Sequence, residues 1–238
     1  MSTGSPPADR SPVLSDGGLA AWPHFFRRGK PAAPVLLTLH GTGGNETEIA
    51  ALATALDPRA SVLSPRGRVS EGGANRWFRR LGEGVFDVDD VIVRAGELAS
   101  FITAARTICG IADAPLIAVG FSNGANIALA TALLHPSVLN RVVAFSGMYP
   151  FGERDPLGDL AGLTGDAGAS GRGIELLLLN GAADPMAPAA SVDVLERTAT
   201  AHGASVTRHT RAGGHGIDAT EITAARDWIR PARLRPVA

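Results

Sequence analysis

The chain of 238 residues is 45% hydrophobic and 19% charged, with 22 basic against 23 acidic side chains and a formal net charge of -1. This ordinary globular balance excludes collagen-like, coiled-coil and wholly disordered chains, and a near-neutral chain without an uninterrupted apolar run of about 18 residues argues against nucleic-acid binding and a membrane span. The single cysteine excludes an intramolecular disulfide framework and a zinc site built from several thiolates.

Residues 1–18 (MSTGSPPADRSPVLSDGG) are polar and rich in Pro, Gly and Ser, lacking the basic start and apolar core of a secretory signal. They are expected to form a disordered tail, with a single domain over residues 19–238 and a cytoplasmic address. From residue 34 onward, short aliphatic runs alternate with longer stretches of helical period, the pattern of an α/β fold with a parallel sheet covered on both faces. Strands are predicted at Val35–Leu39, Ser61–Leu63, Leu116–Val119, Val142–Phe145, Glu175–Leu179 and Ser205–His209. Between them, Asn45 and Glu48 suit a capping box for a helix to about Leu56. A second helix is predicted after Asp87, where Val91, Ala95, Leu98, Ile102, Ala105 and Cys109 share one face and Gly110 can end it. That stripe makes Cys109 a core residue, not a nucleophile. Further helices are predicted at Asn123–Leu134 before Pro136, Pro188–Ala201, and Asp218–Ile229 before Pro231.

In an open parallel sheet, ligands bind beyond the carboxyl ends of the strands. One such end carries Gly120-Phe121-Ser122-Asn123-Gly124, a G-x-S-x-G between a strand and a helix. The turn tolerates only small flanking residues and raises the serine hydroxyl above the sheet, as a nucleophile requires. A serine needs a histidine base, and the histidine needs a carboxylate to set its tautomer. Among six histidines, His215 stands apart, since Ala212-Gly213-Gly214-His215-Gly216 follows the last strand and can bend over the sheet. Asp184, in the proline-restricted loop after Glu175–Leu179, is the candidate acid. The order Ser122, Asp184, His215 is that of this hydrolase architecture, not of chymotrypsin or subtilisin. Backbone N–H groups of Asn123 and Thr42 are the expected oxyanion donors, Thr42 lying in the glycine-rich loop after the first core strand. His40 in that loop is expected to brace it, with substrate contact the alternative.

These residues resemble the α/β-hydrolases of the phospholipase/carboxylesterase group, which includes acyl-protein thioesterases. LHGTGGNE, VGFSNGA, NGAADPMAP and GGHG look like that group's oxyanion loop, nucleophile elbow, acid loop and histidine loop, so the likeness covers roughly residues 34 to 230. The segment Ser64–Asp87 is similar to a bacterial branch of small esterases that includes hydrolases of hydroquinone-type aromatic degradation. The resemblance implies a mostly parallel sheet with helices on both faces, no large cap domain, no metal and no cofactor. It also implies a small-molecule ester as substrate, hydrolysed through an acyl-enzyme on Ser122. Trp77 and Phe78 become pocket walls, with His40, Gly41 and Met186 as further candidate substrate contacts; the group often forms dimers, which makes a homodimer the implied oligomer. The distinctive loop by which acyl-protein thioesterases take long chains is not recognisable here, and Ser122 stands where dienelactone hydrolases have cysteine.

Two features stay open at this level. Arg66, Arg68, Arg76, Arg79 and Arg80 form a basic cluster read mainly as a solvated loop paired with Glu71, Glu83 and Asp87, the alternative being a steering patch for anionic substrates. Gly152–Gly173 reads as a mobile surface loop, with a lid as the alternative. A thioesterase or lysophospholipase-like activity, a ring-cleavage-product hydrolase and a non-catalytic binding protein on the same scaffold are the competing functions.

Overall fold

The computed structural model describes residues 21–82, 84–159 and 173–230. Residues 1–20, Glu83, most of Gly152–Gly173 and Pro231 onward lie outside the described residues, and the expectations of a disordered tail and of a loop or lid fall there.

Each aliphatic run predicted as a strand is one. In chain order the strands are β1 (His24–Arg27), β2 (Val35–Leu39), β3 (Ser61–Pro65), β4 (Val69–Glu71), β5 (Ala74–Arg76), β6 (Arg80–Gly82), β7 (Val85–Phe86), β8 (Leu116–Phe121), β9 (Arg141–Phe145), β10 (Glu175–Gly181) and β11 (Ser205–Arg211). A seven-stranded sheet runs β1-β3-β2-β8-β9-β10-β11, antiparallel only where β1 meets β3. Helices α1 (Glu46–Leu56), α2 (Val88–Ile108), α3 (Asn123–Leu134), α4 (Ala189–Ala201) and α5 (Ala219–Ile229) cover it.

The two-residue period of a strand explains the lack of polar alternation in the central runs. Val35, Leu37 and Leu39 of β2, with Leu176 and Leu178 of β10, enter the core beneath α2, α3 and α4. Their neighbours Leu36, Leu177 and Leu179 enter the second core, against α1 and α5. Helix α3 is buried from Asn123 to Leu133, which accounts for its apolar residues all round.

The sequence reading overlooked β1 and the two short hairpins β4–β5 and β6–β7. The turn between β4 and β5 is Gly72-Gly73, with φ of 58° and 86°; a Gly-Gly pair between short runs is a recognised two-residue hairpin signal. At the edge, β1 pairs His24 to Arg27 against Pro65 to Val62. Cys109 caps the end of α2, partly buried against the core, and burial pushes its thiol pKa up, consistent with a packing residue.

Candidate active site

Strand β8 passes into α3 through Ser122, whose φ of 53° and ψ of -118° place a non-glycine residue in a region costing on the order of 1–3 kcal/mol. The two glycines of the motif make that turn sterically feasible. A Cβ on Gly124 would lie 2.0 Å from the Leu39 carbonyl oxygen, and one on Gly120 would lie 2.5 Å from that of Gly124. Both contacts are with backbone, which cannot step aside. The turn is anchored by the Ser122 N–H donating to the Phe145 carbonyl (2.9 Å) and the Asn126 N–H to the Ser122 carbonyl (3.0 Å).

Asp184 follows β10 and His215 follows β11, and the parallel pairing of these strands brings the two loops together. The His215 Nδ1–H donates to Asp184 Oδ2 at 2.8 Å. The other carboxylate oxygen accepts from the N–H of Met186 (2.8 Å) and of Ala187 (3.1 Å). Burial works to raise the Asp184 pKa, but these three hydrogen bonds outweigh it and hold the carboxyl below its ordinary range. The imidazole packs on the ring of Phe121, the residue before Ser122, with centroids 5.1 Å apart. The structure therefore brings Asp184 and His215 into direct contact beside the elbow. Ser122 Oγ makes no hydrogen bond to the ring.

Ser122 opens onto a cavity of about 330 Å³ whose wall includes Thr42, Asn123, Asn126, Ser146, Met148 and Met186. Asn123 is the first residue of α3, so its N–H has no partner within the helix and lies where the helix dipole favours negative charge. Thr42 stands on the same wall, its hydroxyl accepting from Arg76 Nη1 at 2.9 Å.

Several expected substrate contacts lie elsewhere. Trp77 and Phe78 are fully packed core residues absent from the cavity wall. Trp77 is a brace: its N–H donates to Asn123 Oδ1 (2.8 Å) and its indole N–H to the His40 carbonyl (2.8 Å). Gly41 is also off the wall, set so near Phe121 that a Cβ would be 2.9 Å from its ring. His40 is 1% exposed; Nδ1–H donates to the Gly41 carbonyl (2.7 Å) and Nε2 accepts the Gly67 N–H (2.9 Å), so no ring nitrogen remains for substrate. Met186 does stand on the wall.

Asn126 and Ser146 were overlooked. Asn126, four residues after Ser122 and the one polar side chain between Gly124 and Ala130, accepts the Met148 N–H at 2.8 Å; that spacing was a readable signal. Ser146, with φ of 50°, donates its hydroxyl to the Gly216 carbonyl at 3.3 Å. The arginine cluster is paired, mostly as expected: Arg79 with Asp87, Arg76 and Arg80 with Glu71, but Arg66 with Glu46 and Arg68 with Glu97. Among the described residues no group of three His, Cys, Asp or Glu is placed to hold a metal ion.

Burial lowers the pKa of His40 from its ordinary 6.5 by desolvating the charged ring. The unfolded chain takes up the second ring proton first, so His40 contributes stability that is present above pH 6.5 and lost as the pH falls below it. His40→Gln is expected to melt lower at neutral pH yet to lose less melting temperature between about pH 7 and 5 than the unaltered chain. Burial lowers the His135 pKa in the same direction, so the slope is reduced and not removed. Identical slopes in both proteins would contradict this role for His40.

A mostly parallel sheet with a serine elbow after β8, a carboxylate after β10 and a histidine after β11 is the arrangement of an α/β-hydrolase. The family model for phospholipase/carboxylesterase matches residues 24–232, and the chain belongs to that family. It is 37% identical to the hydrolase MhqD of Bacillus subtilis, covering 88% of this chain and 98% of the relative. Among solved structures it is similar to a Bacillus cereus carboxylesterase (36% identity, TM-score 0.78, 88% of this chain and 94% of that one). A Mesorhizobium loti carboxylesterase gives 27% identity and a TM-score of 0.78, over 93% and 99% of the two chains. The protein is thus an esterase enzyme, and no helix among its described residues is long and apolar enough to cross a membrane.

Proposed function

We propose that the chain is a serine carboxylesterase that hydrolyses small or short-chain carboxylic esters through an acyl-enzyme on Ser122. The observation that carries this reading is the 2.8 Å His215–Asp184 contact packed against the elbow that presents Ser122. In the mechanism, His215 Nε2 accepts the Ser122 proton as Oγ attacks the ester carbonyl carbon. The tetrahedral oxyanion is received by the N–H groups of Asn123 and Thr42. His215 then gives the proton to the departing alcohol, leaving acyl-Ser122. A water, deprotonated by the same ring, repeats the sequence and releases the acid.

The small-substrate part of the reading rests on the cavity. At about 330 Å³ it lies at the lower end for small-molecule sites, and Met148, Met186 and Phe86 share its wall with Asn126, Ser191, Arg76 and Arg80. A long alkyl chain would desolvate those polar groups without pairing them. Arg76 and Arg80 on that wall share the single carboxylate of Glu71.

A fluorophosphonate is expected to label the protein with one equivalent, on Ser122 by peptide mapping, in step with loss of activity. Across 4-nitrophenyl acetate to dodecanoate, kcat/KM is expected to be highest at the short end. Labelling of another residue with activity retained would overturn the acyl-enzyme, and a rising profile to dodecanoate would replace the short-chain reading with a lysophospholipase- or thioesterase-like one.

A further inference from the structure

The loop that carries His215 is held from below by a side chain the mechanism does not use. Strand β11 ends on Arg211, whose side chain is 15% exposed and folds back under the loop. Its Nη2 donates to the carbonyls of Gly214 (3.0 Å) and Gly216 (2.7 Å), the residues on either side of His215, and its Nη1 donates to that of Ala212 (3.3 Å). Three carbonyls spread around one planar group call for a guanidinium; an ammonium has its donors at a single point. Gly213 passes so close, with φ of 125°, that a Cβ there would lie 2.5 Å from Arg211 Nη1.

The arginine is itself anchored. Its Nε lies 2.8 Å from Oε2 of Glu221, which is 3% exposed. The same oxygen accepts the Asp218 N–H at 3.1 Å, the reciprocal half of the capping box that starts α5. On the far side, the Gly213 carbonyl accepts the Ala183 N–H (2.9 Å), one residue before Asp184. The loop is thus clamped between the acid loop and an ion pair rooted in α5.

We propose that Arg211, fixed by Glu221, is a positioning residue for His215, setting the loop so that the ring meets Asp184 and faces Ser122. This rests on His215 being the base. Arg211 touches no reacting group, and the adjacent Glu221 offsets most of its charge, so its effect is chiefly geometric, with a lesser attraction to the Asp184 carboxylate. Misplacing a base by about an ångström costs up to roughly 100-fold in rate.

The test compares Arg211→Met, Arg211→Lys and Glu221→Gln in kcat and KM for 4-nitrophenyl acetate, melting temperature, and the low-field proton resonance of the His215 Nδ1–H. Arg208→Met serves as control, because Arg208 pairs with Asp193 and Glu196 of α4. Arg211→Met is expected to lower kcat by about 10- to 100-fold with KM near its original value and the resonance broadened. Lysine and Glu221→Gln should fall between, with Arg208→Met fully active. Folded Arg211→Met and Glu221→Gln proteins with unchanged kcat, or a kcat loss that only follows the unfolded fraction while the resonance stays sharp, would overturn the clamp. Ser122→Ala separates the two ideas: if it is inert while Arg211→Met is fully active, only the clamp fails; if it turns over, the triad reading fails first.

Discussion

Ser122→Ala is expected to abolish ester hydrolysis, lowering kcat by a factor on the order of 10⁶, while the protein remains folded. Without Oγ no covalent intermediate forms, and what remains is the rate supported by binding and oxyanion donors alone. The fold should be indifferent to the change, because the Ser122 side chain makes no capping hydrogen bond and the backbone strain is the same for alanine. The melting temperature is therefore expected to stay where it is. Measuring both quantities on one preparation gives the result its meaning: turnover within tenfold of the original would remove Ser122 from the mechanism.

Asp184→Asn should lower kcat by roughly 10⁴ with little change in shape. The geometry gives the reason. One carboxylate oxygen accepts the Met186 and Ala187 N–H groups, so an asparagine must keep its carbonyl oxygen there. Its NH₂ then occupies the position of Oδ2, 2.8 Å from His215 Nδ1, as a donor facing what must also be a donor. The ring escapes by moving its proton to Nε2, and an Nε2 that carries a proton cannot take one from Ser122. A variant with near-original activity would show that Asp184 is a loop brace and not the acid. The same carboxylate gives a pH signature in stability. Its pKa is held below the ordinary 3.8, so its contribution is present above that value and lost as the pH falls through the lower, folded one.

The central sheet was legible because a strand buried on both faces must be aliphatic at consecutive positions, as Leu176 to Leu179 are. The elbow was legible because its glycines answer to local sterics: Gly120 must clear the start of α3 only a few residues away. The short hairpins were harder, since three-residue strands such as β4 carry no periodicity and only the Gly72-Gly73 turn marks them. Trp77 and Phe78 were expected as pocket walls from the family likeness alone, whereas the structure packs both in the core, with Trp77 donating to an asparagine 46 positions away. Arg211 carries no signal in the sequence, because its partners are mostly backbone carbonyls and a backbone carbonyl leaves no trace there.

Legible in the chain alone were the class of architecture and the turns that carry Ser122, Asp184 and His215, because each turn depends on neighbours within a few residues. The tertiary structure decided that His215 meets Asp184 at 2.8 Å, that His40 spends both ring nitrogens on backbone, and that Trp77 braces the elbow from within the core. Those facts depend on separations between residues tens of positions apart, set by strand pairing and by the close approach of backbones at glycine, and no local preference of the chain encodes such distances.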